Sequence, residues 1–237
     1  MPSDPAILAF DTSAAHCAAA LLLSRDIKQT RFQDMARGQA EHLMPILADI
    51  MAGSGTVMAQ LDAIAVGIGP GNFTGIRIAV SAARAMALAL KIPAIGVSSF
   101  EILNGSDAAM AHGTWLMSLP GPRDSLYLQP FANGAPNGPA RMVTADGFDD
   151  LSTACPDPDI RVCGHRATAL TTALFKNNRR EADGTEARID WQHAASNIAQ
   201  IAAAKLAQGK AMDRPAPLYI KAPDAAPSRD KPPMILA

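Results

Sequence analysis

Two short stretches of the 237-residue chain carry residue types that could do chemistry. The first is Asp11-Thr12-Ser13, a carboxylate and two hydroxyls at the end of the apolar run Ala6–Phe10. A strand-end aspartate of this kind either positions a metal-bound phosphate or caps a turn, and both readings stand. The second is Gly67–Gly75, GIGPGNFTG, with four glycines and a proline ahead of an almost charge-free helical pattern. A glycine-rich turn between strand and helix lets backbone amides approach a phosphate, and the helix N-terminus adds its positive end. Asp11, Thr12, Ser13, Gly69, Gly71 and Asn72 are therefore the candidate nucleotide-binding residues.

The spacing fits neither standard phosphate loop. No Gly-Lys-Ser/Thr follows, so the run is not a Walker A loop, and glycines at 67, 69, 71 and 75 break the G-x-G-x-x-G fingerprint. No acidic residue stands about twenty positions on, where a ribose hydroxyl would need one. The structural alternative is a tight turn at Gly69-Pro70-Gly71, with Thr74 capping a helix that starts at Gly75. The five histidines (His16, His42, His112, His165, His193) show no metal-ligand spacing. No Ser–His–Asp arrangement can be read from sequence, because such triads are geometric. The expectation is a chain with no catalytic residue and no metal site of its own.

Composition narrows the class further. The formal net charge is −1, so no overall field draws the chain to nucleic acid or an anionic membrane; an RNA contact would be local or made by a partner. Lys176, Arg179 and Arg180 form a small basic cluster that reads as solvated surface. Cys17, Cys155 and Cys163 are odd in number and widely spaced, which suits buried thiols in a reducing compartment. The apolar N-terminus lacks a basic leader region and carries Asp4 and Asp11, so the expected location is cytoplasmic. Arg77 and Arg84 interrupt the apolar run Ile76–Leu90, a poor pattern for a membrane span.

These residues need a scaffold, and the apolar pattern supplies one. Ala6–Phe10, Cys17–Leu23 and Ile27–Phe32 read as an antiparallel meander, Glu41–Met51 as a helix and Leu61–Ile68 as a buried strand. The helix Ile76–Leu90, the strand Ala94–Val97 and a helix near Phe100 capped by Ser98 or Ser99 complete the first part. Strands at Trp115–Leu119, Leu126–Phe131 and Ile160–Cys163 follow, with a turn at Asn133–Pro139 and helices at Ala167–Phe175 and Trp191–Gln208. The expected organisation is mixed α/β in two lobes, 1–103 and 104–222, with a proline-rich tail at 223–237.

Two helices carry more apolar surface than one sheet face can cover. In Glu41–Met51, Leu43, Ile46, Leu47 and Ile50 form a core stripe, and Met44, Ala48 and Met51 form a second. In Ile76–Leu90, Ile76, Val80, Ala83, Ala87 and Leu90 form one stripe, and Ile78, Ala82, Ala85 and Ala89 another. Such helices are either sandwiched inside a domain or bury the second face against another chain. Met44, Leu47, Ala48, Met51, Ile78, Ala82, Ala85 and Ala89 are the candidate partner interface.

Taken together, ILAFDTS, AEHLMPIL, LDAIAVGIGPGNFTGIRIAVSAARAMALAL, IPAIGVSSFEIL and PLYIK resemble the TsaB (YeaZ) family. The resemblance is dense over Ala6–Leu103, sparse beyond, and returns at Pro217–Lys221. It implies an α/β, actin-like (ASKHA) fold of two ribonuclease-H-like lobes. It also implies a cytoplasmic companion of the TsaD transferase, working with the ATPase TsaE to install threonylcarbamoyl on adenosine beside the anticodon of tRNA. In that picture the chain forms homodimers in isolation, pairs with TsaD through its first two long helices and meets tRNA through the complex. ATP and Mg²⁺ belong to the complex rather than to this chain alone.

The departures bear on the site. Asn72 replaces the family's usual serine, Gln39-Ala40-Glu41 replaces a histidine-serine-glutamate run, and Leu119–Arg123 lacks an aspartate the family often carries there. The competing readings are a stand-alone ATP-binding enzyme built on Asp11 and the glycine loop, and an M22-type peptidase-like protein. The missing histidine pair speaks against the latter.

Overall fold

The computed structural model describes residues 4–105, 108–144, 159–175, 184–209 and 213–220. Three strands open the chain as the expected meander: β1 (Ile7–Asp11), β2 (His16–Leu23) and β3 (Asp26–Asp34), each antiparallel to the next. The helix α1 (Gln39–Ser54) leads to β4 (Ala63–Gly67), which pairs parallel with β1. The helix α2 (Phe73–Leu90) then returns the chain to β5 (Ala94–Val97), parallel with β4. The sheet order is β3-β2-β1-β4-β5. A short helix, α3 (Ser99–Asn104), leaves this sheet behind a capping box in which Ser98 and Glu101 satisfy each other's backbone amides.

The second sheet is assembled from β6 (Thr114–Pro120), β7 (Leu126–Ala132), β8 (Ala135–Pro136), β9 (Arg141–Val143), β10 (Arg161–Gly164) and β11 (Gly184–Glu186). Its order is β11-β10-β6-β7-β8, with β9 also on β7. The run Asn133–Pro139, expected as a turn throughout, contributes β8 to this sheet. The helix α4 (Ala167–Leu174) covers one face of it. The basic cluster at Lys176, Arg179 and Arg180, Cys155 and the tail at 223–237 lie outside the described residues.

β1, β2 and β4 are buried on both faces of the first sheet, which is why they read as apolar runs, while the edge strand β3 is largely exposed. Successive strand side chains point to opposite sides. Leu8, Phe10, Ile64 and Val66 pack beneath α1 and α2, while Ile7, Ala9, Ala63 and Ala65 face the last helix, α5 (Ala194–Ala207). Ile198, Ala199, Ala202 and Leu206 of α5 fill that second face. The α5 residues, expected within the 104–222 lobe, thus pack on the first sheet. Between the two sheets, α3 sends Ile102 to the first core, and Phe100 and Leu103 to the core under Trp115, Met117 and Phe131.

By length and composition α2 could cross a membrane, and one third of it is buried inside the fold. Its role here is to roof β1 and β4 beside α1. It begins at Phe73, two residues before the expected start. Its cap is Asn72, not Thr74: the Asn72 side-chain oxygen accepts from the Gly75 amide at 2.9 Å. Asn72 has the extended backbone of a capping residue, so its oxygen reaches back over the first turn.

Candidate functional site

Asp11 ends β1 and is fully buried. Its Oδ2 accepts three hydrogen bonds: from the Ser13 amide at 3.0 Å, the Ser13 hydroxyl at 2.8 Å and His16 Nε2 at 2.8 Å. Three groups thus converge on one oxygen, and the His16 contact has donor geometry when the ring proton sits on Nε2. The antiparallel turn between β1 and β2 makes this cluster local, because it folds His16 back beside Asp11. The His16 ring packs against Phe32, at 5.5 Å, and Trp191, at 5.2 Å, so aromatic surface walls the His16–Asp11 hydrogen bond off from water. Asp11 Oδ1 is buried without a partner. Next along β2, burial and then the negative field of Asp11 push the Cys17 thiol up to about 11.

The glycine loop packs directly against this turn. Thr12 Oγ1 donates to the Gly75 carbonyl at 2.6 Å, and the Asn72 amide donates to the Ser13 carbonyl. A side chain at Gly71 would collide with the Ser13 carbonyl, and one at Gly75 with the Thr12 carbonyl. Gly69, in the left-handed region at φ +85°, and Pro70 present their carbonyls to the Ser99 amide at 2.8 Å and hydroxyl at 2.9 Å. The six candidate nucleotide-binding residues therefore gather at one place, and most of their polar groups bond one another. The glycines at 71 and 75 allow two backbone turns to touch. At the start of α2 the Asn72 amide donates to the Ser13 carbonyl and the Gly75 amide to the Asn72 side-chain oxygen, so these two amides are turned inward. Among the described residues no group of three or more His, Cys, Asp or Glu side chains could hold a metal ion.

The apolar stripes on α1 and α2 sort differently. Met44 is 50% exposed, and Ala48, Ala85 and Ala89 are exposed. Ile78 and Ala82 are half-buried at the edge of the core. Leu47 and Met51 are core residues, 0% and 6% exposed, so in this chain they have no surface to offer. Met51 faces inward because the core-facing arc of α1 is wider than the four-residue stripe counted from sequence. Leu88, 77% exposed, lies outside both apolar stripes, on the strip of Arg77, Ser81 and Arg84.

Comparison with known proteins gives this geometry a context. A family model described as "TsaD: tRNA N6-adenosine threonylcarbamoyltransferase" matches residues 33–129. Over 93% of its length the chain is 30% identical to the uncharacterized protein Rv3421c of Mycobacterium tuberculosis, covering 94% of that protein. It is 36% identical over 109 residues to the tRNA threonylcarbamoyladenosine biosynthesis protein TsaB of Escherichia coli, a match covering 46% of this chain and 44% of that one. YeaZ from Pseudomonas aeruginosa superposes with a TM-score of 0.66 at 22% identity, over 91% of this chain and 99% of that structure. The shared architecture is the two-lobed, actin-like α/β fold. With TsaB sequences matching nearly half of the chain and a YeaZ structure matching its fold, the chain belongs to the TsaB (YeaZ) family.

Proposed function

We propose that the chain acts in threonylcarbamoyladenosine modification of tRNA as the non-catalytic companion of a TsaD-type transferase. One observation carries this reading: α1 and α2 lie side by side on the first sheet and leave an outward face of small and flexible apolar residues. Met44, Ala48, Ala85 and Ala89 stand on that face. Alanines admit close helix–helix approach, and methionine adapts its shape to a partner. The family relationship supplies the partner's class. In this reading the chain works in the cytoplasm, forms homodimers through the same face when alone, and reaches the ATPase TsaE through the complex. Co-expression with the transferase of the same cell tests it. The two chains are expected to elute together at an equal ratio, and separate elution would refute the companion role.

A second reading is favoured by one specific feature, the unpartnered Asp11 Oδ1 beside a glycine loop. A stand-alone nucleotide-binding enzyme would use that oxygen toward Mg²⁺ and a phosphate. Calorimetric titration of the isolated chain with Mg-ATP separates the two: micromolar binding with turnover supports the enzyme, and absence of heat supports the companion.

A further inference from the structure

Along one flank of α2, and on the segment beside it, four cations stand together. Arg77, Arg84 and Lys91 follow at seven-residue intervals, nearly two helical turns, so each lies almost above the last at about 10 Å. The segment 213–220 runs antiparallel beside them. At one end Arg214 lines a cavity of about 480 Å³ together with Arg84 and Lys91. At the other, Arg77 Nε donates to the Tyr219 hydroxyl at 2.7 Å. The Leu218 amide pins the segment to the Ile68 carbonyl at 2.8 Å.

The row ends in an aromatic platform. The Arg77 guanidinium lies 3.6 Å above the Phe73 ring, and the Phe73 and Tyr219 rings sit 5.5 Å apart. Both rings remain open to solvent, at 49% and 45% exposure. All four cations are exposed, and none makes an ion pair among the described residues. No Asp or Glu occurs in α2 or lines the cavity. Asp213, beside Arg214, lines a neighbouring cavity with it, and four cations against this carboxylate leave the edge with a local excess of positive charge in a chain of twenty-one basic and twenty-two acidic residues. Like charges in a row repel one another and favour an extended anion.

We propose that this edge is a track for RNA: Arg77, Arg84, Lys91 and Arg214 hold successive phosphates, and Phe73 and Tyr219 stack an unpaired base. A regular line of cations matches a phosphodiester chain, and open rings beside an arginine are what unstacked bases recognise. The choice of tRNA as the RNA rests on the modification reading above; the charge and ring geometry stand without it. Ile78, Ala82 and Ala89 lie on a different arc of α2, at 100° per residue, while Ala85 borders the cavity that Arg84, Lys91 and Arg214 line, so the two surfaces adjoin along α2.

Fluorescence anisotropy of the full chain with a labelled, unmodified tRNA transcript over a series of salt concentrations tests the track. The wild-type affinity is expected to fall steeply with salt. The double variant Arg84→Gln/Arg214→Gln should bind at least tenfold more weakly and lose about two units of the log–log salt slope. Phe73→Ala/Tyr219→Ala should weaken binding with the slope kept. Unchanged circular dichroism and Tm show that these exposed substitutions leave the fold intact. Wild-type affinity and slope in the cation variant, no wild-type binding, or displacement of the transcript by polyglutamate of equal charge would each overturn the proposal. Co-purification with the transferase, measured on the same variants, keeps the two readings apart. Retained co-purification with unaltered RNA binding removes the track alone, and lost wild-type co-purification with retained RNA binding removes the companion role alone.

Discussion

His16 Nε2 donates to Asp11 Oδ2 at 2.8 Å across the first turn of the chain, and the other carboxylate oxygen, Oδ1, has no partner. The pair is packed against Phe32 and Trp191, so Asp11 Oδ2 relies on His16 and Ser13 alone. Removing one partner of a buried hydrogen bond leaves the other unsatisfied, at a cost of about 1–3 kcal/mol, and truncating the ring also opens a cavity. His16→Ala should lower the free energy of unfolding by roughly 3 kcal/mol. Urea denaturation measures this directly, and a loss below about 1 kcal/mol would remove the structural role assigned to the pair.

Gly75 and Gly53 predict opposite outcomes for the same substitution. A methyl group at Gly75 meets the Thr12 carbonyl, which is backbone and cannot yield. Gly75→Ala should therefore destabilise by about 2 kcal/mol or more, through overpacking at the joint between β1 and α2. Gly53 sits exposed in the last turn of α1, facing only the end of the Gln29 side chain. Gly53→Ala should gain about 0.5–1 kcal/mol from helix propensity and a less flexible unfolded chain. Equal effects at the two positions would contradict the packing of the glycine loop against Thr12.

The outward face of α1 and α2 gives a prediction free of stability effects. Met44 and Ala85 are exposed, so Met44→Glu and Ala85→Glu should change stability by no more than about 0.5 kcal/mol. Each should weaken transferase binding at least tenfold, because a carboxylate buried in an apolar contact lacks a counter-charge. Leu47→Glu, by contrast, should fail to fold, since Leu47 is fully buried in the core. Surface plasmon resonance against the transferase separates these outcomes. Undiminished binding by both surface variants rules out this face.

The Cys17 thiol, raised from 9.0 to about 11 by burial and then by Asp11, makes stability pH-dependent at the alkaline end. The unfolded chain loses this proton as pH passes 9, and the folded chain keeps it until about 11. Over that window the unfolded state holds fewer protons, so stability falls with rising pH, by about 1.4 kcal/mol per unit from this group. Below pH 9 the contribution is fully present. Denaturant melts of wild type and Cys17→Ala at pH 8 and 10.5 isolate it. The wild type should lose more stability than the variant, and parallel losses would refute the assignment.

The legibility of this chain in its sequence follows the range of the forces involved. The meander, the existence of the strands at 61–68 and 94–97, the Ser98 cap of α3 and the core stripes Leu43–Ile50 and Ile76–Ala87 depend on neighbours a few residues away, and the apolar period carries them. The cap of α2 was misplaced because Asn72 and Thr74 are both competent caps; the close approach of the β1–β2 turn decides between them. Met51 faces the core although the helical period places it on the second stripe, because tertiary packing sets how far the core reaches around α1.

Residue types and spacing alone determined that this is a mixed α/β chain with an aspartate turn, a glycine loop unlike a standard phosphate loop and two helices of excess apolar surface. Only tertiary structure decided what those parts do to one another. It set the glycine loop against Thr12 and Ser13, joined Asp11 to His16 inside an aromatic wall, and carried α5 back to the first sheet. It also brought Arg214 and Tyr219 alongside Arg84 and Arg77. Contacts between residues more than a hundred positions apart leave no local period to read. They form because burying both faces of the first sheet requires the end of the chain to return to its beginning.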